Sequence, residues 1–240
     1  LVMGHKLPDM DCFGSALGAY RICEYLGKDV HIVLEERNEA LDAIYTAAEE
    51  TEAYRIIKRK KALEIVNDKT LLIVVDSNRP SIVECPELLD VCQKTIVIDH
   101  HRLADDSISN ATIAYVESYA SSASELITEV IQHISQKRFI TKLEAEAMLA
   151  GIMVDTNSYS IRSGVRTFEA AAWLKRAGAD TSRVKSFFQT DISAFQAKAK
   201  AVANAEYTPM GIAFATTDCY TSDAQIINAQ VADELLTVKG

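Results

Sequence analysis

Leu71-Leu72-Ile73-Val74-Val75-Asp76 is an aliphatic run closed by a carboxylate. It is apolar on both faces and too short for a buried helix, so it reads as a strand at the centre of a parallel sheet. Similar runs stand at residues 1–4, 29–34 and 94–98, and longer helical patterns separate them. That alternation predicts an α/β domain: a mainly parallel sheet with flanking helices. The first helix is expected from near Asp11, through Ala16, Leu17, Ala19, Tyr20, Cys23 and Leu26, to the C-cap glycine Gly27, with Gly14 and Gly18 permitting close packing. Residues 39–66 read as one long charged helical stretch. Ser122-x-x-Glu125 has capping-box spacing ahead of Leu126, Ile127, Val130 and Ile131, and further helices are expected at 141–152 and 166–177. Past Gly178-Ala179-Asp180 the pattern changes to amphipathic helices near 181–189 and 191–204, a turn at Tyr207-Thr208-Pro209-Met210-Gly211 and a strand at 212–217.

Composition narrows the class. The 240 residues are 48% hydrophobic and 25% charged, enough to bury a substantial core. The five-residue aliphatic run at Leu71 falls far short of the roughly 20 needed to span a bilayer, so no membrane contact is expected of this segment. The net charge of −9 disfavours a bulk nucleic-acid partner but not a small anion held by local cations. The five cysteines (Cys12, Cys23, Cys85, Cys92, Cys219) include no C-x-x-C pair, so neither a disulfide framework nor a zinc knuckle is indicated and a reducing compartment is expected. The chain reads as a segment of something longer.

Chemistry-bearing residues fall where the strands end. His5, Asp9 and Asp11 follow the first strand, Asp76 closes the third, and Asp99-His100-His101 closes the fourth. The carboxyl ends of parallel strands share one edge of the sheet, the edge where ligands bind, so these groups are expected to converge. Asp155, at the end of the apolar run from Met148, is a further candidate. Asp9, Asp11, Asp76 and Asp155 brought together without cations would repel one another, and two divalent ions would neutralise them. Carboxylate oxygen mixed with imidazole nitrogen suits manganese, iron or zinc better than magnesium or calcium, and manganese is the first choice. An Asp at a strand end is often only a helix cap and a lone His often structural. Capping, however, accounts neither for His5 four residues before Asp9 nor for a double histidine after Asp99.

Gly4-His5-Lys6-Leu7-Pro8-Asp9-Met10-Asp11 with Gly14-Ser15-Ala16, and then Asp99-His100-His101, resemble the motifs of the DHH phosphoesterases in order and spacing, over most of residues 1–180. The segment from Asp155 to Glu169 is most similar to the GdpP-type cyclic-di-AMP phosphodiesterases. The resemblance implies that His5, Asp9 and Asp76 hold one Mn2+, that Asp11, Asp76, His100 and Asp155 hold the other, and that Asp76 bridges them. Asp99 would orient a neighbouring histidine, and His101 would face the phosphate. A hydroxide activated between the two metals would attack phosphorus in line. The implied division is a DHH catalytic domain at 1–180, a helical linker at 181–204 and, at 205–240, the incomplete beginning of a DHH-associated substrate-binding domain. The implied setting is the cytoplasmic side of a membrane-anchored protein, and a homodimer is compatible with it.

Arg162 and Arg166 follow Asp155 on a loop entering a helix, where guanidinium forks and a helix N-terminus both favour phosphate; Ser163 and Gly164 are softer candidates. Lys58-Arg59-Lys60-Lys61 reads as a solvated helix face, Cys12 and Cys23 as packing residues, and Phe168 with Trp173 as core. Asp9-x-Asp11 is also similar to the nucleophile motif of haloacid-dehalogenase phosphatases, which would leave Asp99-His100-His101 unexplained. The expected activity is hydrolysis of cyclic-di-AMP to pApA. Its alternatives are hydrolysis of short oligoribonucleotides or phosphoadenosine phosphate on the same centre, and, in another class, a non-catalytic cyclic-dinucleotide sensor.

Overall fold

The computed structural model describes residues 1–36, 41–135, 137–189, 192–217 and 224–238. Six strands, β1 (Val2–Met3), β2 (Ile32–Val33), β3 (Ile56–Ile57), β4 (Leu71–Val75), β5 (Lys94–Asp99) and β6 (Ile113–Val116), form one sheet. Their order is β3-β2-β1-β4-β5-β6 and every neighbouring pair is parallel. The chain builds outward from β1 to β3 and then returns to the other side of β1 with β4. The crevice between the carboxyl ends of β1 and β4 is therefore a topological switch point, the position where open α/β sheets bind ligands.

Strand register explains the apolar runs. Met3 pairs with Val33 and Val74, Val33 with Ile57, and Val74 with Val97, which sets one row across the sheet. Met3, Val33, Val74 and Val97 pack in one buried cluster with Leu72, Val83, Leu88 and Ile108. Val2 and Val75 are buried as well and point to the opposite face, so the strands carry no polar alternation.

Helix α1 (Met10–Tyr25) starts one residue before Asp11, with Asp9 as its N-cap, and ends before Gly27, whose φ of +69° is the left-handed turn expected of a C-cap glycine. Residues 41–66 are not one helix. α2 (Asp42–Glu50) stops at Thr51, Glu52 turns with a φ of +51°, Ile56–Ile57 extend into β3, and α3 (Arg59–Ile65) begins afresh. Pairing with β2 outweighs the helical pattern there; residues 39 and 40 of that stretch lie outside the described residues. Lys58 and Arg59 accordingly open α3 rather than continue the helix of Glu49 and Glu50, and Arg59 pairs with Glu87 on α4 (Glu87–Val91).

After β6 come α5 (Ala123–Ile134), α6 (Lys142–Asp155), α7 (Val165–Ala177) and α8 (Thr181–Ser186). Only half of the expected Ser122 capping box forms: the Ser122 hydroxyl accepts from Glu125 N, while the Glu125 carboxylate turns to Ser121. A complete box stands instead at Thr141 and Glu144, opening α6. α1 packs chiefly on α6 and α5. The α6 contact depends on Gly14, where a Cβ would lie 2.5 Å from the Ala147 carbonyl oxygen. Buried Glu144 joins these elements, accepting from Arg21 at 2.6 Å and from the Tyr54 hydroxyl at 2.7 Å.

The chain divides into two compact units, Leu1–Phe187 and Phe188–Gly240. The stretch expected as a linker is shared between them: α8 packs on α6 in the first, and α9 (Ile192–Ala203) packs on α10 (Ala224–Leu236) in the second. In place of one strand at 212–217 the second unit has an antiparallel hairpin, β7 (Glu206–Tyr207) with β8 (Ala213–Phe214). Among the described residues, no helix is long and apolar enough to cross a membrane.

Candidate metal centre

The loop leaving β1 is stitched to a neighbouring segment before it reaches the site. Glu84 N donates to Gly4 O, Lys6 N donates to Ile82 O, and His5 bridges Val83. His5 Nδ1 lies 2.8 Å from the Lys6 carbonyl oxygen, which leaves Nε2 as its outward-facing nitrogen. That Nε2 is 3.3 Å from Asp76 Oδ2 and 3.9 Å from Asp9 Oδ1. Asp9 also caps α1, its Oδ1 accepting from Asp11 N and Cys12 N.

On the other side of Asp76, His100 Nε2 is 3.4 Å from Asp76 Oδ1, 3.0 Å from Asp155 Oδ2 and 4.0 Å from Asp11 Oδ2. The two oxygens of Asp76 thus face two different imidazoles. Asp76 holds this position with a φ of +55°, a left-handed conformation that costs a non-glycine residue about 1–2 kcal/mol. Asp11 is fully buried, and its two oxygens accept from Ala123 N at 2.7 Å and Ser124 N at 2.8 Å, at the start of α5.

Electrostatics mark the cluster as incomplete. Burial alone would lower the pKa of His5, but the hydrogen bond to Asp76 lifts it to about 12. Burial likewise opposes the charged form of His100, which the carboxylates of Asp155 and Asp76 beside it raise to about 11. Burial would raise Asp76, yet the imidazoles of His100 and His5 beside it hold it below the usual carboxylate range. Asp11 is pushed well up by burial and by the charges of Asp76, Asp155 and Asp9, against the two backbone N–H groups that favour its ionised form. Asp9 keeps 46% of its side-chain surface, where it lines the pocket; crowding around it and the charge of Asp76 push its carboxyl to about 6. Asp76 Oδ1 and His100 Nε2 are buried with no hydrogen bond of good geometry. Buried polar atoms in native proteins have partners. Imidazole nitrogens and carboxylate oxygens 3–4 Å apart around orphaned lone pairs are a donor set that divalent ions fit.

Asp99 is fully buried behind the cluster. Its Oδ1 lies 2.8 Å from His101 Nδ1, and its Oδ2 accepts from Asn78 Nδ2 at 2.6 Å. His101 stays more than half exposed, and the hydrogen bond to Asp99 raises its pKa. A cavity of about 430 Å3 lies over His5, Asp9, Asp76, Asp99 and Asp155, and another of about 660 Å3 borders His100, Tyr119 and Arg162. His101 and Arg102 line both.

The remaining candidates separate. Arg162, at a φ of +52°, lines the second cavity. Arg166 instead gives its fork to Glu129, with bonds of 2.7 Å from Nε and Nη2, and reaches the Tyr115 hydroxyl. Ser163 bonds back to the Ile161 carbonyl, and Gly164 is the N-cap of α7. Neither lines a cavity over the cluster. Phe168, expected in the core, is 54% exposed and stacks on Tyr159. Sequence reasoning missed Asn78, although it stands two residues beyond Asp76 in the same strand-end loop, and it missed Arg102, directly after the double histidine.

The DHH family, N-terminal domain, matches residues 1–152. The chain is 39% identical over 243 residues to the cyclic-di-AMP phosphodiesterase PdeA of Listeria monocytogenes, covering 100% of this chain and 37% of that protein. It is 38% identical over 244 residues to the cyclic-di-AMP phosphodiesterase GdpP of Geobacillus thermodenitrificans, again 100% and 37%. The chain thus spans little more than a third of these relatives. An exopolyphosphatase-related protein from Bacteroides fragilis superposes with a TM-score of 0.80 at 18% identity, covering 99% of this chain and 72% of that one, a likeness of fold.

Proposed function

The chain belongs to the DHH family, and from that premise we propose that it forms the catalytic part of a metal-dependent phosphodiesterase that opens cyclic-di-AMP to linear pApA. The observation that carries the reading is the split of Asp76, one oxygen toward His5 and the other toward His100. The substrate comes from relatives that carry that activity in their names. In this reading His5, Asp9 and Asp76 hold one ion, and Asp11, Asp76, His100 and Asp155 hold the second. The donor set makes manganese the first choice, with other divalent transition ions accepted. When bound, two such ions supply Lewis-acid stabilisation and a water acidic enough to attack phosphorus at neutral pH.

The chain's own residues do the rest. Water adds to phosphorus and the P–O3′ bond breaks, so the departing 3′ oxygen needs a proton. His101 is placed to give it: Asp99 fixes Nδ1 and raises the ring's pKa, and the exposed ring reaches both cavities. Asn78 holds the other oxygen of Asp99, which keeps that carboxylate from turning away. Arg102 and Arg162 offer forked donors to phosphate oxygens beside the metals. Arg166, held by Glu129, acts on α7 rather than on substrate. The unit would sit within a longer, membrane-anchored protein, on the cytoplasmic side where its free thiols stay reduced.

The test is a side-by-side assay of cyclic-di-AMP, a dinucleotide RNA and phosphoadenosine phosphate, with manganese and with chelator. Manganese-dependent release of pApA, fastest on the cyclic dinucleotide, is the expected result. Faster turnover of either linear substrate would move the assignment to the oligoribonuclease branch. Tight binding of the cyclic dinucleotide without turnover would make the protein a sensor.

A further inference from the structure

The cavity that borders His100, Tyr119 and Arg162 differs in chemistry from the one over the metal cluster. Asp9, Asp76, Asp99 and Asp155 line the first, whereas no carboxylate lines the second among the described residues. Two guanidinium groups, Arg102 and Arg162, border the second beside His100 and His101. In a chain of net charge −9 this is a locally cationic recess, and it fits an anion. Its aromatic is Tyr119. That side chain is 92% exposed, and among the described residues no ring packs against it, in contrast to Tyr159, which stacks on Phe168. A ring so exposed adds nothing to the core, yet the turn that carries it is pinned. Glu117 N donates to the Asp99 carbonyl oxygen at 2.9 Å, Ala120 N donates to Glu117 O at 3.0 Å, and Tyr119 N donates to Glu117 Oε1 at 3.3 Å. Ala120 and Ser121 are buried and lead into Ser122, the N-cap of α5. The ring is thus presented on a fixed backbone, which lowers the ordering cost when a ligand arrives. Forked donors for phosphate together with an uncovered π surface are what a nucleotide requires. The volume of about 660 Å3 lies within the roughly 300–1,000 Å3 of small-ligand sites.

We propose that Tyr119 is the stacking platform for one purine of the substrate, whose nucleoside sits in this second cavity with its phosphate against Arg102 and Arg162. The inference rests on the reading of the protein as a cyclic-dinucleotide phosphodiesterase, and it adds which side chain takes a base. His101 and Arg102 line both cavities, so a phosphate held between them borders the metal side and the base side at once. Stacking strength grows with the area of the base, so a purine gains more from Tyr119 than a pyrimidine does. The contact uses the face of the ring and not its hydroxyl.

Steady-state kinetics of the wild type, Tyr119→Ala and Tyr119→Phe on cyclic-di-AMP and cyclic-di-UMP, with manganese, test the assignment. Tyr119→Ala should raise KM for cyclic-di-AMP by about tenfold, with most of the loss in KM rather than kcat. Its preference for adenine over uracil in kcat/KM should fall by about fivefold. Tyr119→Phe should restore most of both, because the ring face is kept. Metal content and Tm should match the wild type in both variants, since the ring lies outside the core. An unchanged KM in Tyr119→Ala, an unchanged base preference, or a Phe variant as impaired as Ala would overturn the proposal, and turnover by the wild type would leave the phosphodiesterase reading standing. No turnover of either cyclic dinucleotide by the wild type would overturn both.

Discussion

Gly151→Ala couples the packing of the first unit to its metal centre, because the glycine lies where α6 presses on the start of α1. A Cβ there would lie 2.5 Å from Ser124 Oγ, 2.7 Å from Asp11 Oδ1 and 2.8 Å from Asp11 Cα. Ser124 can rotate away, but the Asp11 backbone cannot, since it belongs to α1 and its carboxylate is tied to the first N–H groups of α5. Replacing a helical glycine by alanine gains about 1 kcal/mol in propensity. Overpacking a tight core costs about 1–3 kcal/mol, and the upper end applies where backbone is the obstacle. The net loss is about 1–2 kcal/mol, which for a unit of this size lowers Tm by roughly 2–8 °C. Thermal unfolding in chelator would measure it, and manganese titration of the same protein should show affinity down by about tenfold, since Asp11 is displaced. Gly164→Ala is the control, because a Cβ there meets nothing within 4 Å. A Gly151→Ala protein as stable as wild type, with normal metal affinity, would refute the claim that this contact positions Asp11.

Further outcomes follow from the same geometry. Asp76→Asn should lose both ions and lower turnover by about a thousandfold or more, whereas Asp155→Asn should weaken one ion only; metal analysis alongside the product assay separates them. Arg162→Ala should raise KM with metal content unchanged, and Arg166→Ala should cost about 1–2 kcal/mol of stability, a range reduced because its guanidinium is partly exposed. Arg166 holds the Glu129 carboxyl below its ordinary value, so this contribution is full above the unfolded glutamate pKa and fades as pH falls through the folded one. The stability gap between wild type and Arg166→Ala should therefore close in acid denaturation series and stay constant at neutral pH. His5 and His100 hold protons well above neutrality without metal, at about 12 and about 11, so an ion must expel them. Metal affinity should rise with pH and binding should release protons, read by calorimetry in buffers of different ionisation enthalpy; pH-independent affinity would contradict the reading.

Much of this architecture was legible because the strand code is simple. Apolar runs without alternation mark β1, β2, β4 and β5, and each metal candidate lies within a few residues of a strand or helix end. The short edge strands were not legible. β3 has only two paired residues inside a charged helical pattern, and β6 exposes Ile113, so neither shows the uninterrupted burial that identifies a central strand. Arg166 looked equivalent to Arg162, and only the fold brings Glu129, 37 residues away in sequence, against its guanidinium.

The central claim, a pair of divalent ions on either side of Asp76, is tested most directly by an anomalous difference map from crystals grown with excess manganese, with data collected at the manganese edge. The account predicts two peaks in the first unit, one between His5, Asp9 and Asp76 Oδ2, the other between Asp76 Oδ1, Asp11, His100 and Asp155. A map with no peak at these groups, or with a single ion that Asp76 does not touch, would contradict it.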